Sequence, residues 1–167
     1  MPTAVEPIAT TNDPHPWLKT VRAAGVWEGH MTTRIETRDF IFHTDEPATV
    51  GGLDQHPTPM QYVVGAVNGC VTVVIEAVAA EFGFPIDRIH TSSRARQDVR
   101  GFRGTADVSP HFRDFVLTVE LDAAVPEGRV DAFTEQVERR CPAINLLRDA
   151  GVEFELKWLI AGSQVTA

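Results

Sequence analysis

The sequence predicts an α+β fold, with β-strands gathered around one long buried helix. Three observations carry that expectation. Residues 62–82 are apolar almost without interruption, whereas 115–122 and 152–160 alternate apolar with polar residues. Helix-like and strand-like segments also come in blocks rather than in strict β-α-β order. A length of 167 residues suits one domain. We expect a flexible arm over 1–16, rich in Pro, Thr and Asn, and a single domain over 17–167.

The elements follow in order. Residues 17–26 fit either a short helix or a strand. Residues 27–43 are rich in β-branched and aromatic side chains and predict two short antiparallel strands, with a turn at Arg38 and Asp39. Residues 44–56 contain Asp45, Glu46, Pro47, Gly51 and Gly52 and predict a loop. Thr58, Pro59 and Gln61 then fit a capping box, with Thr at the N-cap, Pro at N1 and Gln at N3. The helix they open runs to Phe82, and Gly83 stops it. A helix without a polar face must be covered on every side. At ~1.5 Å per residue, about 24 residues span roughly 36 Å, more than one small domain encloses. A second subunit is therefore expected to help cover it, and the small residues Gly65, Ala66, Asn68 and Gly69 would let a neighbouring backbone come close.

Residues 86–99 predict a strand and 100–110 a turn. Phe115, Leu117, Val119 and Leu121 mark the inner face of a half-buried strand. Val130, Phe133, Val137 and Cys141 lie at helical spacing, and Pro142 disfavours α geometry at Cys141, so the helix breaks or kinks there. A short second helix runs to about Ala150, Gly151 ends it, and 152–160 form the last strand.

Fifteen Lys and Arg against 23 Asp and Glu leave a net charge of −8. Such a chain repels phosphate, so neither nucleic acid nor an anionic membrane is an expected partner. The N-terminal residues lack the basic start and apolar core of a signal peptide, and the apolar stretch, which holds Asn68 and Glu76, reads as a buried helix rather than a membrane span. We expect a cytoplasmic protein. Two cysteines are too few for a disulfide scaffold or a Cys-based zinc site, and the six histidines show no metal-ligand spacing.

Cys70 lies in the middle of the apolar helix, with Val63, Ala66, Val67, Val73, Val74 and Ala77 on its face. It reads as a packing residue, or as a reactive thiol if a cation lies close, because apolar surroundings alone raise a thiol pKa. Cys141 precedes Pro142 and is placed to cap the second helix, whose positive end would favour its thiolate. It fits the buried Val137 stripe equally well.

The ordered set Asp45-Glu46-Pro47, Gly51-Gly52, Pro57-Thr58-Pro59-Met60, Asn68-Gly69-Cys70, Asp98-Val99-Arg100-Gly101-Phe102 and Glu138-Arg139-Arg140-Cys141-Pro142 resembles the OsmC/Ohr superfamily of osmotically inducible and organic hydroperoxide resistance proteins, over about residues 27–160. The resemblance implies an OsmC-like fold: an intertwined homodimer whose antiparallel sheets wrap two long central helices, with active sites at the subunit interface. It implies a thiol-dependent peroxidase acting on organic hydroperoxides and hydrogen peroxide. Cys70 would be the peroxidatic thiolate, Cys141 the resolving thiol, and a dithiol such as a lipoylated protein the reductant. No metal, haem or flavin is implied.

In the family an Arg from the N-terminal strands keeps the reactive thiol ionised, often held by a carboxylate. Arg34 is the first candidate and Arg38 the second; each also fits an exposed strand residue. Ohr-type members carry a Glu ten residues before the reactive Cys, where this chain has Met60 beside Gln61. Gln61 is neutral and is accounted for by the capping box. The supporting carboxylate would then come from elsewhere, with Asp45 and Glu46 as candidates; Glu76 points about 120° away from Cys70 around the helix. Two other readings stand beside the peroxidase: a non-peroxidase relative binding a small apolar ligand at the dimer interface, favoured by the Met60 and Gln61 departure, and a thiol enzyme with another electrophile.

Overall fold

The structure is a computed structural model that describes residues 17–161, the side chain of Glu127 excepted. The arm expected over 1–16 lies outside the described residues. The chain forms two compact units that divide between Tyr62 and Val63.

In the first unit β1 (Ala24–Gly29), β2 (Thr32–Thr37) and β3 (Phe40–Thr44) make an antiparallel meander. The sequence predicts two strands here, and there are three. The β2–β3 turn lies at Arg38 and Asp39 as expected, but a second turn separates β1 from β2 at His30 and Met31. Both take positive φ, 46° and 68°. Gly29 before them also takes positive φ, 100°, and is the sequence's one signal for this turn, which Met31 does not announce. Residues 45–57 form the expected loop. The buried Asp45 carboxylate organises it by accepting the backbone N–H groups of Glu46 (2.7 Å), Leu53 (3.2 Å) and Gln55 (3.1 Å). These bonds hold the Asp45 carboxyl below the usual carboxylate range, against the opposing effect of desolvation. Gly52 is obligatory for contact reasons: a Cβ there would lie 1.8 Å from the Glu46 carbonyl oxygen.

The long helix α1 spans Pro59–Phe82. Its capping box is formed as predicted: Thr58 N–H donates to Gln61 Oε1 (2.7 Å), and Gln61 N–H donates to Thr58 Oγ1 (3.2 Å).

In the second unit β4 (Ile86–Gln97), β5 (Phe112–Ala123) and β6 (Glu153–Ala161) form one sheet in that order. β4 and β5 are antiparallel, whereas β5 and β6 run parallel, so this sheet is mixed. A parallel pair needs a long crossover. Helices α3 (Val130–Arg140) and α4 (Pro142–Asp149) supply it, with the break at Cys141 that Pro142 predicts. The expected turn over 100–110 holds a one-turn helix, α2 (Val99–Arg103), capped by Asp98. Gly101 is required there, because a Cβ would lie 2.5 Å from the Val108 carbonyl oxygen. The Asp98 carboxylate accepts from the Arg100 guanidinium and amide, which lowers its pKa to about 2.

The core of this unit joins Val67, Val71, Ile75 and Val78 of α1 to Phe115, Leu117, Val119 and Leu121 of β5 and to Phe133, Val137 and Ile144 of the crossover. Phe133 stacks edge-on against Phe82, Phe84 and Trp158, which ties the end of α1 to α3 and β6. Within one chain α1 is buried along one stripe only, not all round. Val73 is 64% exposed and Val63 42%. No atom lies within 4 Å of a Cβ built on Gly65 or Gly69.

Candidate active site

The second unit brings the two cysteines together. Cys70 sits mid-way along α1, partly buried, and Cys141 is fully buried in the elbow between α3 and α4. Their sulfurs are 3.7 Å apart, with the Cys141 thiol placed to donate to Cys70 Sγ. A disulfide needs about 2.05 Å between sulfurs, so the thiols are reduced and in contact, one short displacement from a bond.

The elbow follows from the sequence. Pro142 keeps Cys141 out of α geometry (φ −75°, ψ 112°) and then serves as the first residue of α4. The Cys141 thiol pKa is pushed above its ordinary 9.0, chiefly by burial and further by the neighbouring Cys70; the Ile144 and Ala143 amides at the start of α4 pull the other way. The sequence offers two readings of Cys141, a thiolate favoured by the helix start and a buried member of the Val137 stripe, and the thiol is buried. The amides do favour the thiolate, but desolvation of a fully enclosed sulfur outweighs them.

Three further contacts fix this geometry, and sequence reasoning missed them. Arg140 forms a two-pronged ion pair with Glu81 of α1 (2.5 and 2.8 Å). It lies next to Cys141 and anchors the end of α3 on the helix that carries Cys70. Glu138 accepts from Arg148 of α4 (2.5 Å) and faces the Trp158 indole N–H of β6 (3.4 Å). The Asn145 side-chain amide reaches the carbonyls of Cys141 (2.9 Å), Arg139 (3.0 Å) and Glu138 (3.3 Å). The spacing from Cys141 to Asn145 is one helical turn, the one signal that could have pointed to it.

The other candidate residues lie in the first unit. Arg34 on β2 is half-buried and pairs with Glu36 and with Glu28, the latter at 3.6 Å. Glu28 also faces His43 Nε2 at 3.4 Å, and His43 stacks on His56. The carboxylates that hold Arg34 therefore come from its own sheet. Arg38 stands on the β2–β3 turn with positive φ, its guanidinium over the Phe40 ring. Glu46 contributes its amide to Asp45, and its carbonyl accepts from the Asp54 amide. Gln61 is engaged in the capping box. Asp45 is occupied by backbone amides and serves the loop. Among the described residues no group of three His, Cys, Asp or Glu side chains is arranged to hold a metal ion.

The sequence profile of the family described as OsmC-like protein matches residues 52–157, well over half of the chain. Among solved structures, the chain is similar to an OsmC-like protein from Mycoplasma pneumoniae, at 15% identity and a TM-score of 0.71, over 87% of this chain and 99% of that one. It is also similar to an organic hydroperoxide resistance protein from Legionella pneumophila, at 17% identity and a TM-score of 0.60, over 86% of this chain and 97% of that one. A third is an organic hydroperoxide resistance protein from Elizabethkingia anophelis, at 14% identity and a TM-score of 0.61, over 89% of this chain and all of that one. At these identities the likeness is one of fold. No curated protein matches the sequence.

Proposed function

The chain belongs to the OsmC-like protein family, and from that premise we propose that it is a thiol-dependent peroxidase that reduces organic hydroperoxides. The observation that carries this reading is the 3.7 Å contact between Cys70 and Cys141. Packing alone asks only for apolar neighbours, whereas a reduced pair with touching sulfurs is what a dithiol–disulfide cycle requires. The names of the Legionella and Elizabethkingia structures lend support at the level of reaction class.

In the proposed cycle the Cys70 thiolate attacks one oxygen of the hydroperoxide. The O–O bond breaks, the alkoxide takes a proton and leaves as the alcohol, and Cys70 becomes a sulfenic acid. Cys141 loses its proton and attacks Cys70 Sγ. Hydroxide leaves, takes up a proton as water, and a disulfide remains. A dithiol reductant, free or as a lipoyl group on a protein, restores both thiols by two exchanges. The family resemblance assigns the role of activating cation to Arg34, whose guanidinium Glu28 and Glu36 hold within its own sheet. The exposed stripe of α1 is the proposed contact with a second copy of the chain.

Turnover of cumene hydroperoxide with a dithiol reductant tests this reading. Wild type consumes peroxide catalytically, and Cys70→Ser abolishes consumption. The second reading, an apolar-ligand binder, is favoured by Met60 at the position of the Ohr-type Glu. It predicts thiols that stay inert and a melting temperature raised by apolar ligands.

A further inference from the structure

We propose that Asn145 is the positioning residue for the resolving thiol: its side-chain amide locks the α3–α4 elbow in the geometry that presents Cys141 to Cys70. The inference rests on the peroxidase reading for its consequence in the catalytic cycle, though not for its geometry.

A helix end leaves its last carbonyls without intrahelical donors. At the end of α3 the shortage is sharpened by Pro142, which has no N–H to give to the Glu138 carbonyl four residues earlier. Asn145 supplies the missing donors. Its Nδ2 group spans the carbonyls of Glu138 (3.3 Å), Arg139 (3.0 Å) and Cys141 (2.9 Å), and its backbone N–H also donates to the Cys141 carbonyl (3.1 Å). One side chain of α4 thus grips both sides of the break and the peptide of Cys141 itself. On one flank Arg140 is fixed to Glu81 of α1. On the other, Arg148 is fixed to Glu138. These ion pairs involve exposed, screened groups, which contribute little individually. The Cys141 peptide is held by main-chain bonds on both sides, its N–H to the Val137 carbonyl (3.0 Å) and its carbonyl to the Asn145 N–H (3.1 Å). The Asn145 side-chain amide ties that same carbonyl to those of Glu138 and Arg139, and so fixes the angle between the two helices and with it the direction of the Cys141 Cα–Cβ bond. An α3–α4 elbow without it keeps its helices, held by the buried Phe133, Val137 and Ile144, but lets the elbow angle vary. A displacement of about 1 Å is enough to cost a reaction that depends on contact distance.

Two measurements on Asn145→Ala test this. The first uses no peroxide: the equilibrium between the reduced protein with oxidised glutathione and the Cys70–Cys141 disulfide with two reduced glutathiones. It reads the effective concentration of one thiol at the other. We expect that constant to fall about tenfold, or about 30 mV in reduction potential. The second follows intact mass after one equivalent of cumene hydroperoxide. Cys70 should be oxidised at the wild-type rate, while the sulfenic acid persists and, in excess peroxide, goes on to the sulfinic acid instead of the disulfide. Asn145→Ser, which keeps one donor, should fall between the two proteins and serves in place of Asn145→Ala if that variant does not fold. A glutathione equilibrium unchanged from wild type in a folded variant would overturn the proposal, because a merely structural Asn145 would lower the melting temperature and leave that constant alone. Should Cys70 of the wild type resist hydroperoxide while the glutathione equilibrium still shifts in the variant, the peroxidase reading fails and the positioning role stands.

Discussion

Cys141 is a thiol whose burial and whose place at a helix start oppose one another, and burial prevails. The consequence is directional. A group with a raised pKa stays protonated through neutral pH, and attack on a Cys70 sulfenic acid requires its thiolate. The rate of disulfide formation from that sulfenic acid should therefore climb with pH through 9 without levelling, whereas a free surface thiol would already be approaching its plateau; stopped-flow traces across pH 6–10 check this. Both cysteines were legible in the sequence as candidates, and Pro142 told where the helix must break. Asn145 was not legible. Its value depends on the Glu138 and Arg139 carbonyls left without main-chain donors by the break, and only its one-turn spacing from Cys141 marks it in the sequence. Glu28 was hidden for a related reason. Its place beside Arg34 depends on the His30–Met31 turn, whose one signal in the sequence is Gly29.

The elements owe their limits to local chemistry that mostly could be read in advance. The capping box at the start of α1 is an example: Thr58 and Gln61 satisfy one another's backbone donors. Thr58→Ala removes one of these bonds and should destabilise the protein by about 1 kcal/mol, seen as a lower urea midpoint with an unchanged slope. The same box explains Gln61 without any role in catalysis. Short elements were less legible. Helix α2 has five residues, too few for a periodicity to show, and only Asp98 as an N-cap hints at it. The alternation in β6 fixed which side chains point inward, but the face of a strand does not disclose its neighbour. The parallel pairing with β5 had to come from the structure.

At the scale of the whole molecule the central fact is the surface of α1. A helix this apolar, with Val63 and Val73 exposed and open space above Gly65 and Gly69, presents the kind of apolar surface that marks an interaction site. The absence of a polar face leads to the expectation of a cover, and the buried residues of α1 in the chain are Val67, Val71, Ile75, Val78 and Ala79. The proposed cover is a second copy. Wild type should sediment at about twice 18.4 kDa, and Gly69→Leu, which fills the open space with a branched side chain, should shift the population toward monomer. The fold joins this surface to the chemistry, since the same helix carries Cys70 on a face that meets the crossover elbow. The central claim is that the two touching thiols form one redox unit driven by hydroperoxide. Its most direct test is the intact mass under non-reducing conditions after one equivalent of cumene hydroperoxide, with Cys70→Ser and Cys141→Ser beside wild type. Such a redox unit gives a loss of about 2 Da in wild type, a gain of about 16 Da in Cys141→Ser and no change in Cys70→Ser. An unchanged wild-type mass, with both thiols still free in excess peroxide, would contradict it.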